Sequence, residues 1–322
     1  MIELAVIGPD AAGKSSLLRA LGAKAGAQEV VVQVPDPTLE ALARIYQPER
    51  VVPLQMGFEE PAGPRPLPPK ARDAQGLVVV LGAFEGGFGE PGAQWAAVNE
   101  EMIVADLVVV EGRLERIAAE RAKGRKVEEL EIKLLERARD VLGEGRALRE
   151  EPALAKAPQL RGFGLWSAKP VVVVVNLGDE GGDAGGIEGV EVVGVRCRLE
   201  AELLELEPED REEFMQAMGI ETPGAGHLMG AVKRAMDFIT FYTVVGKEVR
   251  AWAVPRGTTA WEAAGEIHSD MQRGFIRAEV MEASRLIEAG AEAVLRKAGE
   301  VKVVSKEYEL GDAEVFIVRF SV

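Results

Sequence analysis

Cysteine is almost absent from this 322-residue chain: Cys197 stands alone, so no intrachain disulfide can form, which fits a reducing, cytoplasmic setting. Histidine is nearly as scarce. His227 and His268 are the only two, and neither has a second His or a Cys at metal-ligand spacing, so a His/Cys metal centre is not expected. A structural or surface role suits both, even though Glu266 and Asp270 flank His268. No apolar run approaches the roughly 20 residues of a membrane span. The opening apolar segment runs straight into a Gly-containing loop, so neither a secretory leader nor a membrane partner is expected. Positive charge is in deficit, with 38 Lys and Arg against 53 Asp and Glu and a formal net charge of −15. Phosphates repel such an average surface, so DNA is not an expected partner and any RNA contact has to be local. Asparagine occurs twice, at Asn99 and Asn176, which makes the placement of each informative.

What is present begins at the N-terminus. Gly8-Pro9-Asp10-Ala11-Ala12-Gly13-Lys14-Ser15 has two glycines five apart, then Lys and Ser, the spacing of a phosphate-binding P-loop. The apolar run Ile2–Ile7 before it reads as a strand, and Ser16–Leu21 after it reads as a helix. Glycines let backbone N–H groups approach a polyphosphate closely, and a helix N-terminus adds a favourable dipole. Lys14 can then reach the β and γ phosphates, and Ser15 can ligate Mg²⁺. Gly8, Asp10, Ala11, Ala12, Gly13, Lys14, Ser15 and Ser16 are the candidate phosphate-binding residues.

Beyond the loop, strand and helix patterns alternate. Val30–Val34, Val51–Phe58 and Leu77–Leu81 read as strands, with a helix at Leu39–Tyr46 capped by Asp36 or Thr38. This alternation predicts an α/β fold with a mostly parallel sheet. A glycine-rich break covers 86–98. Ile103, Leu107, Val110, Leu114 and Ile117 then follow heptad spacing, and Val127, Leu130, Leu134, Ala138 and Val141 give a second stripe after the turn Lys123-Gly124-Arg125. We read an antiparallel helical hairpin here, inserted in the α/β domain. Five consecutive valines, Val171–Val175, fit a strand buried on both faces. From residue 239 the chain turns β-rich, as a module of about 80 residues.

Two further groups carry chemistry. Glu60 follows a strand, with Gly63 three residues on, in a position to hold the shell of a Mg²⁺ ion; the alternative is a solvated acidic loop. Asn176 and Asp179 stand after the valine strand, where ligands of α/β sheets gather. Asn-x-x-Asp is a spacing that holds a purine: the Asp accepts two hydrogen bonds from guanine, and the Asn ties its loop to the P-loop. An ordinary strand-to-loop turn is the alternative.

With these residues assembled, the chain resembles the YchF / Obg-like ATPase family of translation-factor-class P-loop proteins. The resemblance spans nearly the whole length. Its strongest part is KEVRAWAVPRGTTAWEAAGEIHSDMQRGFIRAEV (247–280), similar to the family's TGS domain. ADLVVVEGRLER (105–116) is similar to its helical insertion, and AKPVVVVVNLGDE (168–180) to its base-recognition strand. VPDPTLEALARIYQPERVVPLQMGFEEPAG (34–63) corresponds to the segment ending in Asp-x-Ala-Gly, and RLEAELLELEPEDREEF (198–214) to the region after the last nucleotide loop. The resemblance implies a Ras-like nucleotide-binding domain at 1–98 and 166–238, a coiled-coil insertion at 99–165, and a β-grasp TGS domain at 239–322. It also implies ATP or GTP with Mg²⁺ as ligand, slow hydrolysis, and association with the ribosome or its RNA.

Where the chain departs from the family, the departures concern switching. The family's switch loop is shortened, and no Thr occurs between Ser16 and Thr38. The Asp of Asp-x-Ala-Gly is Glu60; the glycine-rich second switch is replaced by PRPLPPKARDAQ (64–75); the Ser-Ala-Lys-type loop reads Arg196-Cys197-Arg198. Phosphate affinity comes from amides, Lys14 and Mg²⁺, whereas hydrolysis needs a positioned water and a γ-phosphate sensor. The expectation is a nucleotide-binding protein with slow or impaired hydrolysis. The alternatives are a non-catalytic, nucleotide-stabilised module that contacts its partner through the hairpin and TGS segment, and a pseudo-GTPase that binds no nucleotide. ATP against GTP stays open: Asp179 leans to guanine by chemistry, the family to adenine.

Overall fold

A computed structural model describes residues 1–84, 88–218, 220 and 222–321. In chain order the elements are β1 (Ile2–Ile7), α1 (Lys14–Ala20), β2 (Glu29–Gln33), α2 (Pro37–Tyr46), β3 (Arg50–Val52), β4 (Gln55–Glu59), β5 (Gly76–Ala83), α3 (Pro91–Ala122) and α4 (Glu129–Gly143). The short helices α5 (Pro152–Ala155) and α6 (Pro158–Arg161) lead to β6 (Val171–Leu177), β7 (Glu191–Val195), α7 (Cys197–Leu203), α8 (Pro208–Ala217) and α9 (Gly224–Ala235). The rest comprises β8 (Phe238–Val245), β9 (Glu248–Pro255), α10 (Ala260–Ile267), α11 (Ser269–Arg273), β10 (Phe275–Glu282), α12 (Ala283–Ala289), α13 (Glu292–Ala298), β11 (Lys302–Val304) and β12 (Glu314–Phe320). No helix among the described residues is long and apolar enough to cross a membrane.

The chain divides into two compact units, one of residues 3–30 and 57–235, the other of 1–2, 31–56 and 236–322. The first sheet has the order β2-β4-β1-β5-β6-β7, with β1, β5, β6 and β7 parallel to their neighbours in that run. Val171–Val175 lie on β6, each 6% exposed or less. A parallel strand flanked by strands and covered on both faces has no polar side, hence the unbroken valines. Burying each Val contributes about 1.5 kcal/mol or more. The segments that follow β1, β4, β6 and β7 carry the site described below.

Helix α3 starts at Pro91, inside the stretch expected as a glycine-rich break; Gly86 and Gly87 of that stretch lie outside the described residues. Its first turns place Trp95, Val98 and Met102 in the core beside the parallel sheet, and its later turns place Ile103, Val110 and Ile117 against α4. The α4 side of the seam consists of Ile132, Leu135, Ala138, Val141 and Leu142; Leu130, expected there, is 48% exposed because it stands in the first turn of α4. A buried carboxylate anchors this pair of helices. Asp106 of α3 is fully buried and accepts from the amides of Trp166 (2.9 Å) and Ser167 (2.7 Å) and from the Ser167 hydroxyl (2.7 Å). Burial pushes its pKa up, against the pull of those donors.

In the other unit, β8 and β9 form an antiparallel hairpin, β10 pairs antiparallel with β11 and β12, and the sheet order is β11-β10-β12-β8-β9-β3. Phe241 and Phe316 meet edge to face at 5.6 Å in a core shared with Ala260, Ala263 and Ala264 of α10. Thr259 starts α10 with a capping box to Glu262. Residues 31–56, expected with the first domain, group with this unit. The expected strand Val51–Phe58 is two strands, and β3 pairs parallel with β9. Asp36 caps α2 by accepting from Leu39 N (3.0 Å) and also accepts from the Tyr242 hydroxyl at 3.1 and 3.0 Å.

Replacing Asp106 with Ala strands two buried amides, each costing about 1–3 kcal/mol. Chemical denaturation of Asp106→Ala is expected to show a loss of about 3 kcal/mol; a loss below about 1 kcal/mol contradicts the anchoring role.

Candidate functional site

The link from β1 to α1 is built on backbone conformations that exclude ordinary side chains. Gly8 has φ +135°, and a Cβ there would lie 2.3 Å from the Val80 carbonyl oxygen of β5. Gly13 has φ +98°, and its Cβ would lie 2.1 Å from Asn176 Nδ2. Between them Ala11 takes the left-handed conformation at φ +57°. Among the described residues the amides of Asp10, Ala11, Ala12 and Gly13 donate to no protein acceptor. A row of unused donors in a tight loop is what an anionic ligand requires. Asp10 and Ala11 are exposed, Ala12 is buried, and Ser16 is half-buried on α1.

Lys14 is 5% exposed, and its ammonium donates back to the Gly8 carbonyl (3.1 Å) and the Pro9 carbonyl (2.5 Å). Burial lowers its pKa, as does the neighbouring guanidinium of Arg65, while Glu60 and Asp10 raise it. Next to it the Ser15 hydroxyl donates to Glu60 Oε2 at 2.6 Å. The other Glu60 oxygen accepts from Arg65 Nη2 at 2.9 Å, and Arg65 Nη1 donates to the Pro61 carbonyl at 2.8 Å. The structure therefore brings Ser15 and Glu60 together and adds Arg65. A hydroxyl and a carboxylate are hard oxygen donors of the kind Mg²⁺ takes, and two of them suit an ion that completes its shell with phosphate and water. Among the described residues no cluster of three or more His, Cys, Asp or Glu offers a metal site independent of a ligand.

Asn176, at the carboxyl end of β6, is 6% exposed. Its Nδ2 donates to the Ala12 carbonyl (3.0 Å), and its Oδ1 accepts from the Cys197 amide (3.3 Å). One side chain thus ties the phosphate-type loop to the turn before α7. Glu200 holds the same turn from behind: this buried carboxylate accepts from the amides of Arg196 (3.1 Å), Gly224 (3.0 Å) and Ala225 (2.9 Å). Asp179 is not an open acceptor. Arg198 Nε donates to Asp179 Oδ1 at 3.2 Å, and Nη2 closes on Oδ2.

Sequence reasoning missed the partners Arg65, Arg198 and Glu200. Arg65 is the one charged residue in Gly63-Pro64-Arg65-Pro66-Leu67-Pro68, which was a signal. For Glu200 the only signal was an acid in the first turn of a helix. His268 has the structural role expected of it, its Nδ1 accepting from the Asp270 amide at the start of α11 (3.1 Å). Cys197 is fully buried and its thiol pKa is pushed well up, chiefly by burial.

The native protein is therefore expected to leave Cys197 unreactive towards a thiol reagent at pH 8, with one thiol appearing on denaturation; native labelling contradicts the geometry. Gly13→Ala drives a methyl onto Asn176 Nδ2 and is expected to cost roughly 2 kcal/mol in chemical denaturation while exposing Cys197 to labelling. An unchanged stability and thiol contradict the tie.

The family model YchF-GTPase_C, described as a protein of unknown function (DUF933), matches residues 238–321. The ribosome-binding ATPase YchF of Haemophilus ducreyi is 32% identical over 359 positions that cover 98% of this chain and 98% of that protein. That of Escherichia coli O157:H7 is 30% identical over 358 positions with the same coverage of both. Among solved structures, the Schizosaccharomyces pombe YchF GTPase superposes with a TM-score of 0.77 at 20% identity, covering 99% of this chain and 97% of that one. A GTP-binding protein from Pyrococcus horikoshii gives a TM-score of 0.63 at 16% identity, covering 99% and 100%. These two likenesses concern the fold, a mixed α/β architecture with a parallel sheet. With near-third identity to the curated relatives over almost its full length, the chain belongs to the YchF family.

Proposed function

We propose that this chain binds a purine nucleotide, ATP or GTP, with Mg²⁺, hydrolyses it slowly, and acts with the ribosome in the cytoplasm. The observation that carries the reading is the loop Gly8–Ser15, in which unpartnered amides surround a buried Lys14 held only by its own loop's carbonyls. When polyphosphate arrives, Lys14 exchanges those two carbonyls for phosphate oxygens, and Gly8, Asp10, Ala11, Ala12, Gly13, Lys14, Ser15 and Ser16 line the phosphates. Ser15 and Glu60 hold Mg²⁺, which neutralises phosphate charge. Asn176 and Asp179 face the base. The partner follows from relatives whose names call them ribosome-binding ATPases.

In this reading residues 3–30, 57–98 and 166–235 form the Ras-like nucleotide domain and 99–165 the coiled-coil insertion. Residues 239–322 form the TGS-like β-grasp module, to which 31–56 attach. Slow hydrolysis follows from the switch region. The first Thr after the loop, Thr38, lies on α2 in the unit that contains 236–322. Glu60, the residue in the second-switch position, already holds Ser15 and Arg65. That double engagement favours a second reading, a non-catalytic module in which nucleotide stabilises the fold while the hairpin and TGS segment contact the partner.

Titration with Mg·ATP and Mg·GTP is expected to show binding by the wild type, weakened on the order of tenfold or more in Lys14→Ala by loss of a charge-assisted contact. Absence of binding overturns the proposal. Single-turnover hydrolysis is expected to run at least about tenfold slower than in the Haemophilus ducreyi relative assayed alongside, a barrier difference of about 1.4 kcal/mol. Equal turnover that vanishes in Lys14→Ala overturns the slow-hydrolysis part, and zero turnover selects the second reading. Cosedimentation with ribosomes checks the partner, and its absence at low and high salt removes it.

A further inference from the structure

Asp179 presents a contradiction that its neighbours resolve. A carboxylate at this place accepts from guanine N1–H and the guanine 2-amino group, because a carboxylate offers acceptors alone. Adenine has an acceptor at N1 and no amino group at C2, so a bare carboxylate repels it. Yet the curated relatives are named ATPases. In this chain both Asp179 oxygens are engaged by the fork of Arg198, through Nε at 3.2 Å and through the closer Nη2. Arg198 has a fixed origin. It is the second residue of α7, and the turn beneath it is held by two buried side chains, Asn176 on the Cys197 amide and Glu200 on the Arg196 amide. Its stem therefore leaves the backbone at a set place beside Asp179, and a bidentate guanidinium–carboxylate pair is the strong form of such contacts.

We propose that Arg198 sets the purine selectivity of this protein. By holding both oxygens of Asp179 it takes away the acceptors that guanine needs, and its donor-only guanidinium supplies a hydrogen-bond partner for an acceptor on adenine. The charge pair is neutral as a unit, so neither base meets a naked charge. Asp179 alone reads guanine; Asp179 with Arg198 does not. This inference rests on the purine-binding reading above.

The test uses ADP and GDP with Mg²⁺ in calorimetric titrations of the full chain, so that turnover does not interfere. Arg198 is 74% exposed in its side chain, so Arg198→Ala is expected to fold as the wild type does. Its GDP-to-ADP affinity ratio is expected to rise about fivefold, the upper end for an exposed ion pair. In the Arg198→Ala background, Asp179→Ala is expected to abolish that gain, because the acceptors freed by removing Arg198 are then gone. Arg198→Lys, which keeps the charge without the fork, is expected to fall between. A ratio that is unchanged or shifts to ADP in Arg198→Ala overturns the proposal while leaving nucleotide binding intact. Failure of the wild type to bind either nucleotide overturns both this inference and the purine-binding reading.

Discussion

The carboxamide of Asn176 is the contact on which the rest of the site depends. One buried amide donates to the Ala12 carbonyl and accepts from the Cys197 amide, joining two loops 164 and 21 residues away in sequence. Only a side chain with both a donor and an acceptor can do this; Asp lacks the donor, and an apolar residue would strand both backbone groups. The constraint propagates. Because Nδ2 lies where a Cβ of residue 13 would be, position 13 has to be Gly, and its φ of +98° then lets the chain enter α1 with the preceding amides turned out. Gly8 is fixed in the same way by the Val80 carbonyl of β5. The loop's shape thus needs both its own two glycines and the β5 and β6 groups that press on them.

A second regularity concerns two carboxylates, Glu60 and Asp179. Each is engaged by a guanidinium: Glu60 by Arg65 and Asp179 by Arg198. The two pairs differ in weight. Arg65 and Glu60 are 22% and 13% exposed, so their attraction is little screened, whereas Arg198 is 74% exposed and its attraction to Asp179 is screened more by water and salt. In a protein of net charge −15, Lys14 and Arg65 bring two positive charges to the loop, with Glu60 and Asp10 as the nearby negative ones.

Much of this was legible in the chain itself. The Gly8–Ser15 spacing, the valine strand and Asn176 at its end are local signals, and the structure puts Gly13 and Asn176 in contact. What escaped was non-local. That β3 pairs with β9 depends on residues about 200 positions apart, and no periodicity in Arg50–Val52 announces it. Helix α3 begins at Pro91 because Trp95 and Val98 find the parallel sheet, a tertiary contact that overrides glycine-rich composition. Leu130 broke its stripe because the helix starts one residue earlier, so an apolar spacing continued across a helix boundary misassigned it. The pairing of Arg198 with Asp179 spans 19 residues and two loops, and charge at each position alone did not reveal it.

Amide hydrogen exchange on the full chain, with and without Mg·ADP, checks whether the amides between Gly8 and Ser15, beside Asn176, receive the phosphates of a nucleotide. Exchange at Asp10–Gly13 is expected to be fast in the free protein, where these amides donate to no protein acceptor, and to slow there and around Asn176–Asp179 when the nucleotide is added. Protection in the free protein, or nucleotide-induced protection elsewhere with none in this loop, would contradict it.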